Sequence, residues 1–168
     1  MGPVPSLRAT MSELVSQPRG FFQSLGPGFA GALSLTLVHQ GAQAVLEHPP
    51  RMDVFGMRAI KKLSRWLGKR PAHGRVLYRQ SLVGDLISNT LYYALVAMGR
   101  PRRIYLRGAL LGVLAGLGAV VLPPYLGLGK QPARAKPSTA YLTVAWYTIG
   151  GLGAAHAAKH ALLSSATK

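Results

Sequence analysis

SLGPGFAGALSLTLVHQGAQAVL, residues 24–46, runs for 23 residues without a formal charge. At 1.5 Å per residue, a helix of that length crosses a hydrocarbon core of roughly 30 Å. A signal peptide is the competing reading, because Arg8 and Arg19 precede the apolar stretch and Ala42-Gln43-Ala44 resembles a cleavage site. The preceding arm is long for a signal n-region, so the expectation is an uncleaved anchor. That arm, residues 1–20 (MGPVPSLRATMSELVSQPRG), is rich in Pro and Ser and reads as flexible or interfacial.

Three more runs extend the pattern. Residues 77–98 (LYRQSLVGDLISNTLYYALVAM) are less apolar and carry Arg79 and Asp85. Tyr78, Ser81, Asp85, Ser88, Asn89 and Tyr92 recur there at spacings of three and four, a polar stripe that a spanning helix turns away from lipid. Residues 105–122 (YLRGALLGVLAGLGAVVL) set Gly108, Gly112 and Gly116 four residues apart. This glycine zipper predicts close backbone approach, within the bundle or between protomers, and Pro123-Pro124 is expected to stop the helix. Residues 138–163 (STAYLTVAWYTIGGLGAAHAAKHALL) form the fourth run. The predicted fold is all-α: an integral membrane bundle of about four transmembrane helices, residues 21–168, plus one amphipathic interfacial helix.

That interfacial helix is read at residues 50–68. Pro49 and Pro50 suit a helix start, Asp53 falls in the first turn, and Gly68 is placed to end it. At 100° per residue, Arg58, Lys61, Lys62, Arg65 and Lys69 gather on one face, and Met52, Phe55, Ala59, Leu63, Trp66 and Leu67 on the other. A basic face opposite a Trp/Phe/Leu face lies in the membrane interface, where anionic lipid adds about 1 kcal/mol per basic residue. The same apolar face could instead pack on the bundle ends, and the two arrangements are compatible.

Composition agrees. Charged residues are 14% of the 168, the hydrophobic fraction is 49%, and 20 Lys+Arg face 4 Asp+Glu for a net charge of +16. A soluble surface is hard to cover with so little charge. The basic residues cluster between apolar runs, and no aromatic-interleaved basic platform appears. Anionic headgroups, other membrane subunits or a second copy of the chain are therefore the expected partners, and nucleic acid is not. With no cysteine, disulfides, thiolate metal sites and cysteine nucleophiles are excluded.

The intramembrane ionisable residues are the candidate sites. His39 and Asp85 should lie at similar depth, about 11–12 Å in, where a hydrogen-bonded pair extended by Asn89 or Gln40 would be polar glue or a proton relay. His156 and His160 stand at i, i+4, a metal-ligand spacing that still needs a third ligand. Both lie near a helix end, where side chains snorkel to headgroups, and an antiparallel layout sets them towards the face opposite His39. No phosphate loop, nucleophile elbow or HExxH motif is present, and four acidic residues leave little scope for carboxylate-pair catalysis. The sequence specifies no cofactor.

Counting basic residues by side gives seven with the termini (Arg8, Arg19, Arg100, Arg102, Arg103, Arg107, Lys168). Eleven lie with the amphipathic helix (Arg51, Arg58, Lys61, Lys62, Arg65, Lys69, Arg70, Arg75, Lys130, Arg134, Lys136). The positive-inside rule places the amphipathic helix in the cytoplasm, by a margin narrow enough to be compatible with dual insertion.

PRMDVFGMRAIKKL (50–63), VGDLISNTLYYALVAMG (83–99), RGALLGVLAGLGAVVLPPYLGLG (107–129) and TVAWYTIGGLGAA (143–155) resemble a group of small bacterial membrane proteins without assigned activity. The resemblance covers most of the chain after residue 26 and implies one four-helix unit in the bacterial cytoplasmic (inner) membrane. It implies no substrate, cofactor or catalytic residue. The ranked expectations are an accessory or structural membrane subunit, then a small oligomeric transporter or channel, then a His-based metal or cofactor protein.

Overall fold

The computed structural model describes residues 19–46, 49–98, 100–129 and 137–166. Most of the N-terminal arm, Glu47, Lys130, Arg134, Lys136 and Lys168 lie outside the described residues. Five α-helices carry the rest: α1 Phe21–Val45, α2 Met52–Trp66, α3 Gly74–Ala97, α4 Ile104–Tyr125 and α5 Pro137–Ala166, with a 3-10 turn at Pro101–Arg103 before α4. The described residues contain no strand.

Two stretches, Phe21–Val45 and Pro101–Tyr125, are long and apolar enough by length and composition to cross a membrane. The other two expected spans do not meet that measure. Arg75, Arg79 and Asp85 interrupt α3, and α5 carries Ser138, Thr139 and Thr143 at its start and His156, Lys159 and His160 towards its end.

The four long helices alternate in direction. Gly28 of α1 lies against Thr90 and Ala94 of α3, and Tyr78 near the start of α3 donates to Gln40 Oε1 near the end of α1 at 3.2 Å. Tyr92 Oη donates to the Leu111 carbonyl at 2.8 Å and Arg107 Nε to the Val96 carbonyl at 2.7 Å, so α4 runs antiparallel to α3. Along the α4–α5 seam, a Cβ at Gly108 would sit 2.5 Å from the Gly151 carbonyl oxygen, at Gly112 2.5 Å from Thr148 Cα, and at Gly116 2.6 Å from Val144 Cα. The three glycines thus face α5 of the same chain. Their missing side chains bring two backbones together, where dispersion contacts replace any hydrophobic drive between helices in lipid.

The core lies between α1, α3 and α5, where Ala32, Leu35, Tyr93, Val96, Ala154, Ala155 and Ala158 are buried. Tyr93 is the largest of the fully buried side chains, and its hydroxyl donates to the Tyr147 carbonyl at 2.7 Å. A buried hydroxyl without such an acceptor would be costly.

α2 lies against the first half of α3. Phe55 is buried, Gly56 sits on Ser81, and the Ile60 Cδ1 methyl approaches Gly84. Gly68 adopts φ +70°, and its N–H reaches the Arg65 carbonyl at 3.0 Å while that of Lys69 reaches Ser64 at 2.8 Å. This is the left-handed glycine ending expected at that position. α4 ends in the same way, later than expected. Pro123 and Pro124 stay inside its last turn, Gly127 takes φ +67°, and the N–H groups of Gly127 and Leu128 bond the carbonyls of Pro124 and Pro123 at 3.1 and 2.9 Å. Pro123 and Pro124 offer no N–H to the carbonyls one turn back, and the glycine-ended turn that follows satisfies their own carbonyls.

Candidate functional site

Four polar side chains of α1, Thr36, His39, Gln40 and Gln43, follow helical spacing and fall on one face. The chain then reverses through Pro49-Pro50, setting Met52, Asp53 and Gly56 of α2 beside that face, and α3 supplies Ser81, Leu82 and Asp85. Together they enclose a cavity of about 30 Å³, room for one or two water molecules.

His39 is 6% exposed. Its ring meets Trp146 and Tyr147 of α5 edge-on, with centroids 5.0 and 5.9 Å apart. These contacts fix the imidazole plane and seal its α5 side. Its Nε2, like Thr36 Oγ1, is buried without a hydrogen-bond partner from the protein. His39 and Asp85 both line the cavity, and the expected direct hydrogen bond between them is not made at Nε2. Asn89, one turn on, lies within reach of the Asp85 carboxylate, and the Asp85 carbonyl accepts from Ser88 Oγ at 3.1 Å.

Asp53 is the site residue that sequence reasoning passed over, having read it only as a helix-start charge. Its side chain is buried, and Arg51 grips it with Nε 3.0 Å from Oδ1 and Nη2 2.9 Å from Oδ2. The carboxylate holds the Arg51 guanidinium above its ordinary value through this hydrogen bond and its charge. Ser81 Oγ points to the Asp53 carbonyl at 3.5 Å, a loose contact between α3 and the start of α2. A polar stripe at spacings of three and one within an apolar run, Thr36-His39-Gln40-Gln43, was the available signal for the α1 side of the site. Nothing in the local pattern announced Asp53, because its place depends on the reversal between α1 and α2.

The basic face of α2 divides. Arg58 NH1 donates to the Leu128 carbonyl at 2.8 Å and Lys62 Nζ to the Leu126 carbonyl at 2.6 Å, tying α2 to the C-terminal turn of α4. Cations at exposed carbonyls of a helix C-terminus satisfy acceptors and oppose the dipole. Lys61, Arg65 and Lys69 take no part in those two ties, and beside them Leu63, Trp66 and Leu67 are exposed.

His156 and His160 lie with ring centroids 4.4 Å apart. Tyr105 Oη is 3.4 Å from His156 Nδ1, and Lys159 Nζ sits 5.4 Å from the Tyr105 ring centroid. Among the described residues no group of three or more His, Asp or Glu side chains is arranged to hold a metal, and the neighbouring ammonium opposes a cation there.

No family model matches the chain, and neither does any curated protein or solved structure.

Proposed function

We propose that this chain is a four-span membrane protein of the bacterial cytoplasmic membrane, and that it serves as an accessory or structural subunit of a larger membrane assembly. The observation that carries this reading is the outer surface. Phe22 is 83% exposed, Val45 81%, Tyr125 83% and Trp66 80%, and large exposed apolar side chains occur on all five helices, Ile87 of α3 and Tyr141 of α5 included. A soluble monomer rarely exposes contiguous apolar surface beyond a few hundred Å². Lipid tails and neighbouring spans are the environment in which that surface is stable.

In this reading α3 and α5 cross the bilayer as inner members of the bundle. Asp85, Asn89 and Ser81 turn to protein and leave Val83, Ile87, Leu91 and Leu95 outward. Polar groups on a spanning helix are tolerated when they face the bundle interior. Exposed Leu63, Trp66 and Leu67 enter the acyl boundary, and Lys61, Arg65 and Lys69 meet anionic headgroups. A water-sized cavity argues against passage of a substrate, and the close α4–α5 seam argues for a rigid packing unit.

Native mass in mild detergent, with co-purifying chains identified, is the test. A defined assembly with a second protein is the expected result; a lone monomer or a pure homo-oligomer would sink the subunit role. A second reading, an oligomeric transporter or channel, draws on the unpartnered His39 Nε2 beside Asp85. Ion flux in proteoliposomes that is lost in Asp85→Asn would favour it over the first.

A further inference from the structure

The cavity between α1, α2 and α3 has an unusual charge balance. Arg51 and Asp53 neutralise one another across a two-point contact. Asn89 lies within reach of Asp85, but an amide supplies no charge, and a carboxylate keeps further acceptor capacity after one such bond. With His39 neutral, Asp85 is the one ionisable group lining the cavity, among the described residues, that has no counter-charge. Burying such a charge is costly unless a counter-charge or a proton accompanies it.

His39 is placed to respond. It is buried, its ring is held by Trp146 and Tyr147, and Nε2 has no protein partner although it lines the cavity. Thr36 Oγ1 is unpartnered beside it. Two orphaned polar atoms and a carboxylate around about 30 Å³ meet the requirements of a bound water, which needs two to four polar partners. A metal is the poorer occupant, since no three ligating side chains converge among the described residues.

We propose that this cavity is a proton-binding site in which His39 Nε2 and the Asp85 carboxylate share one proton through a water held by Thr36. The proton comes from bulk water, adds to the lone pair of Nε2 or of a carboxylate oxygen, and returns by the same route; no other bond forms or breaks. Besides these two residues, the groups facing the site are Asp53 with its Arg51 from the start of α2, Tyr78 of α3 on Gln40, and Tyr147 of α5. The inference holds whether or not the chain is a subunit of an assembly, and its test needs no partner.

The experiment uses the full chain in lipid nanodiscs. Ring-nitrogen NMR of labelled histidine is followed from about pH 4 to about pH 9, with His39→Gln assigning the His39 signal. Infrared spectra over the same range follow the C=O stretch of a protonated carboxyl. In the wild-type protein the His39 signal and one carboxyl band should change together. In Asp85→Asn the band should vanish and His39 should hold its proton at least about tenfold more weakly, because a nearby carboxylate no longer favours the imidazolium. A His39 titration identical with and without Asp85 overturns the proposal. If Asp85→Asn does not fold, His39→Gln still decides. It leaves every carboxylate in place, so an unchanged pH dependence of the carboxyl band overturns the proposal and a displaced one supports it.

Discussion

At the scale of single residues, the glycines of α4 are the sharpest determinants. A Cβ at Gly112 would lie 2.5 Å from Thr148 Cα and 2.7 Å from the Tyr147 carbonyl oxygen. Both are backbone atoms, so no rotamer change relieves the clash and the two helices must separate. Gly112→Leu should therefore destabilise the isolated chain by about 3 kcal/mol or more, read as a lower unfolding midpoint in detergent. Gly118 is the control: a Cβ there would meet only the Leu122 Cδ1 methyl, at 3.4 Å, and Gly118→Ala should stay within about 0.5 kcal/mol of wild type or gain slightly from helix propensity. If the two variants behaved alike, the seam would not depend on backbone approach. The four-residue glycine spacing was legible in the sequence as a packing face. Whether that face served the chain itself or a neighbour was not, since identical spacing suits both; the register of Gly108, Gly112 and Gly116 on α5 supplies the answer. Asp53 was illegible for a different reason, as one carboxylate in a first turn carries no mark of the cavity it will border.

Helix identity was the most readable property at the scale of elements, because charge-free runs and a basic-apolar wheel are strong local signals. The helix ends were read unevenly. Gly68 marked the end of α2, whereas Pro123-Pro124 drew attention from Gly127, the residue whose left-handed φ ends α4. The role of α2 was also only half visible. Its wheel shows a cationic face, but not that Arg58 and Lys62 on that face reach the carbonyls of Leu128 and Leu126, 70 and 64 residues away in sequence. Such contacts are exposed, so each contributes about 1 kcal/mol or less. Together they should govern how often α2 lifts off. In Arg58→Ala/Lys62→Ala the amides of Met52–Trp66 should exchange with solvent up to about tenfold faster, as a loss near 1.4 kcal/mol requires, while those of α4 and α5 keep their rates. Uniform acceleration across all helices would mean that the two residues support the whole bundle, and no acceleration that α2 is held by Phe55 and its neighbours alone.

At the scale of the whole molecule, side-chain geometry bears on whether the chain crosses the bilayer twice or four times. Among the described residues only Phe21–Val45 and Pro101–Tyr125 are apolar enough by composition alone. If α1 and α4 alone crossed, α2 and the end of α4 would lie on opposite faces of a core roughly 30 Å thick. Lys62 Nζ is 2.6 Å from the Leu126 carbonyl, so the two must share a face. α3 and α5 also run their length beside α1 and α4, leaving no separate compartment for them. The chain has no cysteine, which makes each introduced cysteine a unique probe. In sealed vesicles, Arg70→Cys and Leu126→Cys should react with an impermeant maleimide from one side, and Gly20→Cys and Arg102→Cys from the other. Two crossings would give the opposite pairing, with Arg70 and Arg102 together and Leu126 with Gly20. The weight of basic residues around α2 sets the expected sign, with Arg70 and Leu126 facing the cytoplasm. Labelling of every site from both sides in a fixed ratio would instead show dual insertion, as a charge difference of eleven against seven permits. Four crossings are then read from the ratios: Arg70 and Leu126 share one value, and Gly20 and Arg102 share its complement.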